Sequence, residues 1–313
     1  MQGARILVTG GGGMVGANLV RRLLADGAQV QVLSRSRDVP VRLAGLDVIC
    51  HGVDYADTTA VAAAVQASVP DVVFHLASSP FNPPTTPASV HLAGNALATL
   101  NLLEALKNRP AIRFIATASA AEFGAGAGLT EDSPRAPATV YGATKLCASI
   151  LIDTYARSTG VKATNAVLFT PFGPWERAGR LIPHAILSAL RGETVRIGHG
   201  GQKRDYLFID DVTDALVRAA QSDLPPGTPI NISSGVSRAI RDVVRRLLDL
   251  MGAPVALETN PAATRPDEIW DLSGSPARAE TLLGWRPTTS FDDGLQRTID
   301  WYRRNQNLAH TLP

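Results

Sequence analysis

Tyr141-Gly142-Ala143-Thr144-Lys145 sets a phenol and an amine four residues apart. On a helix that spacing places both on one face, one turn from each other. A phenol with a solution pKa of about 10 is a poor base at neutral pH, and a neighbouring ammonium stabilises the phenolate and lowers that value. Such a tyrosine can exchange a proton with a hydroxyl or carbonyl oxygen while hydride leaves or arrives at the adjoining carbon. Ser119, at the end of the apolar run Phe114-Ile115-Ala116-Thr117-Ala118, offers a hydroxyl to hold that oxygen. Alone, a Tyr and Lys at this spacing are a frequent chance pattern, and a serine after an apolar run is by default a turn residue. Their weight depends on what precedes them in the chain.

What precedes them is Thr9-Gly10-Gly11-Gly12-Gly13-Met14-Val15-Gly16, directly after the run Ile6-Leu7-Val8. An apolar period at Val15, Leu19, Val20, Leu23 and Leu24 follows at once and predicts a helix. In that context Gly10 permits a tight turn, Gly13 lets backbone approach a pyrophosphate, and Gly16 lets helix and strand pack closely. The N–H groups of Met14 and Val15 then face an anion at the positive end of the helix. The competing explanation, a flexible glycine turn, leaves the agreement of strand, spacing and helix unaccounted for. The second run ends Ser34-Arg35-Ser36-Arg37, where an acidic residue would grip the free 2′-hydroxyl of an NAD ribose. Ser34, Arg35 and Arg37 instead suit a 2′-phosphate, which favours NADP(H) over NAD(H), although two arginines on a loop are also simply solvated side chains. Asp54, with Tyr55 beside it, follows the third run, where it either accepts from the adenine amino group or caps a helix.

Stepping outward, the elements that must hold these residues are short runs apolar on both faces: Val30 to Leu33, Asp47 to Ile49, Val72 to Phe74, Ile112 to Ala116 and Ala163 to Phe169. Runs of this kind are buried parallel strands, and helical patterns separate them. The expected fold is α/β: a Rossmann-type doubly wound parallel sheet with a smaller mixed α/β lobe for substrate. Residues 1–168 with about 205–232 form the first unit, and about 169–204 with 233–313 form the second, where prolines punctuate shorter elements. Tyr206 to Ile209 and the helix after Asp211 read as a return to the main sheet.

The totals narrow the partners. Among 313 residues, 45% are hydrophobic, 30 Lys+Arg face 28 Asp+Glu, and the net charge of +2 is too balanced for a nucleic-acid backbone or an anionic membrane. Cys50 and Cys147 stand far apart, and the six histidines show no ligand spacing, so neither a disulfide framework nor a metal is expected. That cysteine usage suits a reducing cytoplasm, and no export signal or membrane-spanning run is visible.

The chain resembles the extended short-chain dehydrogenase/reductases, the group of nucleotide-sugar epimerases, dehydratases and ketoreductases. The resemblance rests on the loop Thr9 to Gly16, on His75-Leu76-Ala77, on Asn95 with its Leu-rich helix, and on Ser119 ahead of Phe123-Gly124. It continues through Tyr141 to Lys145, Phe172-Gly173-Pro174, Arg204-Asp205-Tyr206, Asp210-Asp211-Val212 and Leu283-Gly284-Trp285-Arg286-Pro287. It implies that Ser119, Tyr141 and Lys145 form a catalytic triad, and that Leu76, Ala77, Ser78, Asn95, Thr117 and Leu168 line the cofactor. It implies further that Ser79, Thr170, Arg204 and Arg265 meet the substrate, the two arginines at its diphosphate; for Arg265 an ion pair with Asp267 or Glu268 serves equally well. A homodimer is expected from the same resemblance.

The departures carry information too. Ala120 and Ala121 stand where the 4,6-dehydratase branch has an Asp-Glu pair, so dehydration lacks its acid and base. Phe123 replaces the usual tyrosine, Thr170 replaces an asparagine that holds the sugar nucleotide, and Val167-Leu168 depart from an arginine- and tyrosine-bearing strand. The expected function is NAD(P)-dependent reduction of a 4-keto deoxysugar nucleotide with Tyr141 as proton donor. A C4 epimerase that retains its NAD is the alternative, and a non-catalytic dinucleotide-binding regulator is a remote one.

Overall fold

The computed structural model describes residues 1–79, 86–264 and 268–312. From the N-terminus, β1 (Arg5–Thr9), α1 (Met14–Ala25), β2 (Gln29–Ser34), β3 (Ile49–Gly52), α2 (Thr58–Ser68) and β4 (Val72–His75) follow one another. α3 (Ala88–His91) passes through a π-helical stretch, Leu92–Leu97, into α4 (Ala98–Leu106), and β5 (Arg113–Ser119) ends in a 3₁₀ turn, Ala120–Glu122. Then come β6 (Gly126–Leu129), α5 (Val140–Thr159), β7 (Lys162–Leu168), β8 (Thr170–Phe172), α6 (Leu181–Leu190), β9 (Val195–Ile197) and β10 (Lys203–Phe208). The last part holds α7 (Ile209–Gln221), β11 (Pro229–Ile232), β12 (Ser237–Ala239), α8 (Ile240–Met251) and β13 (Leu257–Thr259). It closes with β14 (Asp271–Gly274), α9 (Ala277–Leu283), α10 (Phe291–Arg304) and α11 (Gln306–Thr311).

Seven strands form one parallel sheet in the order β11-β7-β5-β4-β1-β2-β3. The apolar runs earn their place by feeding two cores at once. Ile6, Val8, Phe74 and Ile115 pack into the cluster on one face, while Leu7, Val73, Phe114 and Ala116, their alternating neighbours, pack into the cluster on the other. The chain order reverses between β1 and β4, and ligands of such sheets sit beyond the carboxyl ends of the strands at that point.

A second, five-stranded sheet runs β12-β10-β14-β6, with β8 also pairing β10. Here the expected return of Tyr206 to Ile209 to the main sheet is corrected. β10 pairs β8, β12 and β14 in the smaller sheet; the helix α7 and the strand β11 make the return. A short apolar run does not encode which sheet it joins, because membership is decided by distant partners. β6 belongs to the smaller sheet as well, although it lies early in the chain. Asp205 anchors that sheet: fully buried, it accepts the N–H groups of Ser234, Gly235 and Gly274 and the Ser234 hydroxyl. Among the described residues no helix is long and apolar enough to cross a membrane.

Candidate active site

The strand ends of β1, β4, β5 and β7, the first turn of α5 and the approach to α6 enclose a cavity of about 390 Å³. Its floor at β1 is the glycine loop. Gly10 takes φ +70°, and a Cβ there would lie 2.5 Å from the Ala77 nitrogen; a Cβ on Gly16 would lie 2.2 Å from the Gly10 carbonyl oxygen. Both positions therefore require glycine. Gly13 caps α1 without a side-chain bond, and a Cβ on it would meet only the Gly10 oxygen at 3.4 Å, so it leaves the helix N-terminus open to the cavity. Met14, Val15 and Gly16 line the cavity at that end. A pyrophosphate fits this cradle by shape and by the free N–H groups of the first turn.

Behind the loop, Thr9 accepts the Ala77 N–H at 3.1 Å and lies 2.7 Å from His75 Nδ1, whose other ring nitrogen lies 3.0 Å from the Thr99 hydroxyl. Burial drives the His75 imidazole down to about 3, so it is neutral and works as a brace between β1, β4 and α4.

Ser119, Tyr141 and Lys145 come together on one wall. Thr139 caps α5 by accepting the Gly142 N–H at 3.0 Å, which fixes the turn that bears Tyr141. Gly142 abuts the turn after β5, its absent Cβ lying 2.3 Å from the Ala121 carbonyl. The Tyr141 hydroxyl lies within hydrogen-bond reach of Ser78 and Ser119. Burial pushes the phenol above its ordinary value; those two hydrogen bonds and the charge of Arg180 act in the opposite direction. Lys145 Nζ donates to the Thr117 carbonyl at 2.5 Å, and burial pushes its amine down. A phenol kept protonated next to a serine hydroxyl is a proton donor at neutral pH.

The other expected residues divide. Leu76, Ser78, Thr117, Leu168, Thr170 and Arg204 line the cavity. Asn95 is buried in the π-helical stretch, accepting from Ser78 (2.8 Å) and the Ser79 N–H (3.0 Å) and donating to Thr144 (2.9 Å). Ser79 is buried as well, its hydroxyl 2.6 Å from His91 Nδ1. Both support the wall rather than form its surface. Arg204 donates to the Ile269 carbonyl at 2.7 Å and pairs with Glu268 at 3.5 Å. Arg265 lies outside the described residues.

At the end of β2, Arg35 and Arg37 are exposed, and neither hydrogen-bonds nor ion-pairs with another described residue. Ser34 donates to the Ser36 carbonyl. Asp54 accepts the Ala56 N–H at 2.9 Å in a local turn, whereas the cap of α2 is Asp57. Tyr55 donates to the Leu33 carbonyl at 2.6 Å, and burial raises its phenol.

One cavity residue had no motif to announce it. Arg180, just before α6, lines the same cavity; it hydrogen-bonds and ion-pairs with Glu176 through Nε at 3.3 Å, and its charge also acts on Tyr141 and Tyr206. Its outer guanidinium nitrogens are left for a ligand. Burial raises the Glu176 carboxyl to about 7. A sequence signal existed only in hindsight: Gly179-Arg180-Leu181-Ile182-Pro183 is a helix start with an uncapped cationic first position.

The chain is similar over nearly its whole length to known nucleotide-sugar enzymes. The UDP-glucose 4-epimerase of Mycolicibacterium smegmatis is 30% identical over 96% of this chain and 98% of its own length. A dTDP-glucose 4,6-dehydratase of the same organism is 30% identical over 98% and 96%. The solved structure of a dTDP-glucose 4,6-dehydratase double mutant from Streptomyces venezuelae, with NAD bound, superposes with a TM-score of 0.88 at 26% identity, covering 99% of this chain and 100% of that one. The model of the NAD dependent epimerase/dehydratase family matches residues 6–233, and the chain belongs to that family.

Proposed function

We propose that this protein transfers hydride at C4 of a nucleotide sugar, and that its net reaction is reduction of a 4-keto sugar nucleotide. The observation that carries the reading is the convergence of Ser119, Tyr141 and Lys145 on the wall of a cavity that also holds the glycine cradle, Arg180 and Arg204. A bound nicotinamide supplies or accepts the hydride. Ser119 hydrogen-bonds the sugar oxygen, Tyr141 gives it a proton, and Lys145 adds positive charge beside the phenol. Arg204 and Arg180 are suited to the diphosphate, two forked cations for two phosphoryl groups. Ala120 and Ala121 present only methyl groups to the cavity, which speaks against dehydration.

A charge-assisted hydrogen bond is worth about 1.5–3 kcal/mol. Arg180→Ala is therefore expected to raise KM for the nucleotide sugar by about 10- to 100-fold, with a smaller change in kcat. Calorimetric titration with the bare nucleoside diphosphate checks it: an unchanged affinity would remove Arg180 from the diphosphate site.

Reduction is favoured over epimerisation by the unpaired Arg35 and Arg37, which suit NADPH, a cofactor exchanged at every turnover. The second reading, an epimerase that holds its cofactor, is favoured by relatives such as the UDP-glucose 4-epimerase of Thermus thermophilus in complex with NAD. Equilibrium binding separates them. The expected result is an NADPH preference that falls at least tenfold in the Arg35→Ala, Arg37→Ala double variant; tight NADH binding indifferent to both substitutions would make the epimerase the working reading. A homodimer, as in the family, is supported by exposed Val90, Leu92 and Leu97 on the α3–α4 side and Val140 and Ile150 on α5.

A further inference from the structure

Glu122 is fully buried, yet it faces no ligand: it does not line the cavity but lies behind its wall, in the 3₁₀ turn after Ser119. Its Oε1 accepts the Ser119 N–H at 3.1 Å and the Ser149 hydroxyl at 3.0 Å, and its Oε2 pairs with Arg135. Ser119 Oγ in turn accepts the Ala121 N–H at 3.2 Å, closing a capping box around the turn. Ser149 sits on α5 one turn beyond Lys145 and is itself held, its carbonyl accepting from Asn165 at 3.2 Å. Burial pushes this carboxyl above its ordinary value, and the paired Arg135 guanidinium with the Ser119 N–H and Ser149 hydroxyl holds it as the carboxylate against that push. An ionised side chain withdrawn from water carries a large desolvation cost that an apolar residue of similar size would avoid.

We propose that Glu122 is a positioning residue of the hydride-transfer site: its carboxylate ties the main chain at Ser119 to the helix that carries Tyr141 and Lys145, and so sets the spacing of the two hydroxyls. The role rests on the proposed hydride-transfer chemistry. A shared carboxylate makes the strand end and the helix move as one body, where separate packing contacts would let the Ser119 and Tyr141 oxygens drift, and a displacement of about 1 Å costs on the order of 100-fold in rate. The carboxylate also places negative charge behind the triad. Burial is the larger influence on both partners, raising the Tyr141 phenol and lowering the Lys145 amine; the carboxylate adds to the first and opposes the second, which favours a protonated donor beside an ammonium. The titratable and charged groups facing this region are Lys145 on the same helix, Arg135 over the Phe123 ring, Arg180 before α6, and His91, whose ring packs edge-on to Tyr141 at 5.9 Å.

Glu122→Gln separates charge from connection, since the amide oxygen still accepts from Ser119 and Ser149 while the negative charge is gone. Tyr141 ionisation is read from the alkaline difference absorbance against Tyr141→Phe in each background, which requires no substrate. In Glu122→Gln it is expected to move measurably downward, because a charge that opposed phenolate is removed while burial stays the same. The Glu122→Leu, Arg135→Met pair loses the connection without stranding an unpaired guanidinium. There kcat is expected to fall by about 10- to 100-fold with cofactor affinity unchanged. An unshifted ionisation together with wild-type kcat in the double variant overturns the proposal, and so does a kcat loss that merely follows a collapse in melting temperature. A wild type inert towards every keto sugar nucleotide sinks the hydride-transfer reading instead, while the Tyr141 titration still decides whether Glu122 acts on the phenol.

Discussion

Tyr141→Phe is expected to lower kcat by about 10³-fold or more and to leave cofactor affinity within a few-fold of wild type. The substitution removes one oxygen from a residue whose ring stays packed against His91 and whose helix keeps its Thr139 cap. What disappears is the proton donor, and positioned general acids contribute on the order of 10²–10⁴-fold. No other described side chain can take over. Ser119 and Ser78 reach the same oxygen but hold protons of much higher pKa, and Lys145 is committed to the Thr117 carbonyl. Stopped-flow or steady-state turnover with a 4-keto sugar nucleotide, alongside fluorescence titration of the dinucleotide, gives both numbers. A variant retaining a tenth of the wild-type kcat would mean that the proton comes from elsewhere. Equal loss of cofactor binding would mean that Tyr141 has a structural rather than a chemical part.

The second large effect is expected at Gly16→Ala. Its new methyl would start 2.2 Å from the Gly10 carbonyl oxygen and 2.7 Å from the Gly11 Cα, both backbone atoms that no rotamer change can clear. Relief requires α1 to back away from the loop, and the helix N-terminus then leaves the pyrophosphate. A loss of at least 100-fold in dinucleotide affinity follows, with destabilisation of about 1–3 kcal/mol from the overpacked contact. Calorimetric titration and thermal unfolding of the same preparation test this. Gly3→Ala serves as the control: its φ is positive, at +72°, unlike that of the helical Gly16, and no atom lies within 4 Å of the added methyl, so it carries backbone strain without a clash. Equal behaviour of the two variants would show that contact with the loop is not what Gly16 avoids.

Much of this site was legible before any coordinates, because its parts are local. The glycine spacing, the doubly apolar strands and the Tyr141–Lys145 face each depend on residues within a few turns of one another, and periodicity records such relations well. What escaped depends on distant partners. Asn95 and Ser79 were expected at the ligand surface, yet each faces inward because its hydrogen-bond partners, Thr144 and His91, arrive on other helices. Asp54 is expected either at the adenine or as a helix cap, and the actual start of α2 gives the cap to Asp57 instead. Arg180 has no motif at all, since its importance comes from where the approach to α6 lies relative to Tyr141. Glu122 belongs to no motif, and only Arg135 and Ser149, closing over it from elsewhere in the chain, mark it out.

The smaller sheet sets a constraint on how the protein is made. The strand β6 has a single neighbour, β14, and the Gly128 N–H donates to Ser273, 145 residues further along. At a synthesis rate of roughly 5–20 residues per second, a nascent chain carries that strand unpaired for on the order of ten seconds. The Rossmann sheet also lacks its edge strand β11 until late, so neither unit can close before most of the polypeptide has emerged. For the same reason the substrate lobe is not a transplantable module. New specificity on this scaffold has to be grafted through the loops at the strand ends, because cutting out the lobe would cut the chain in several places at once.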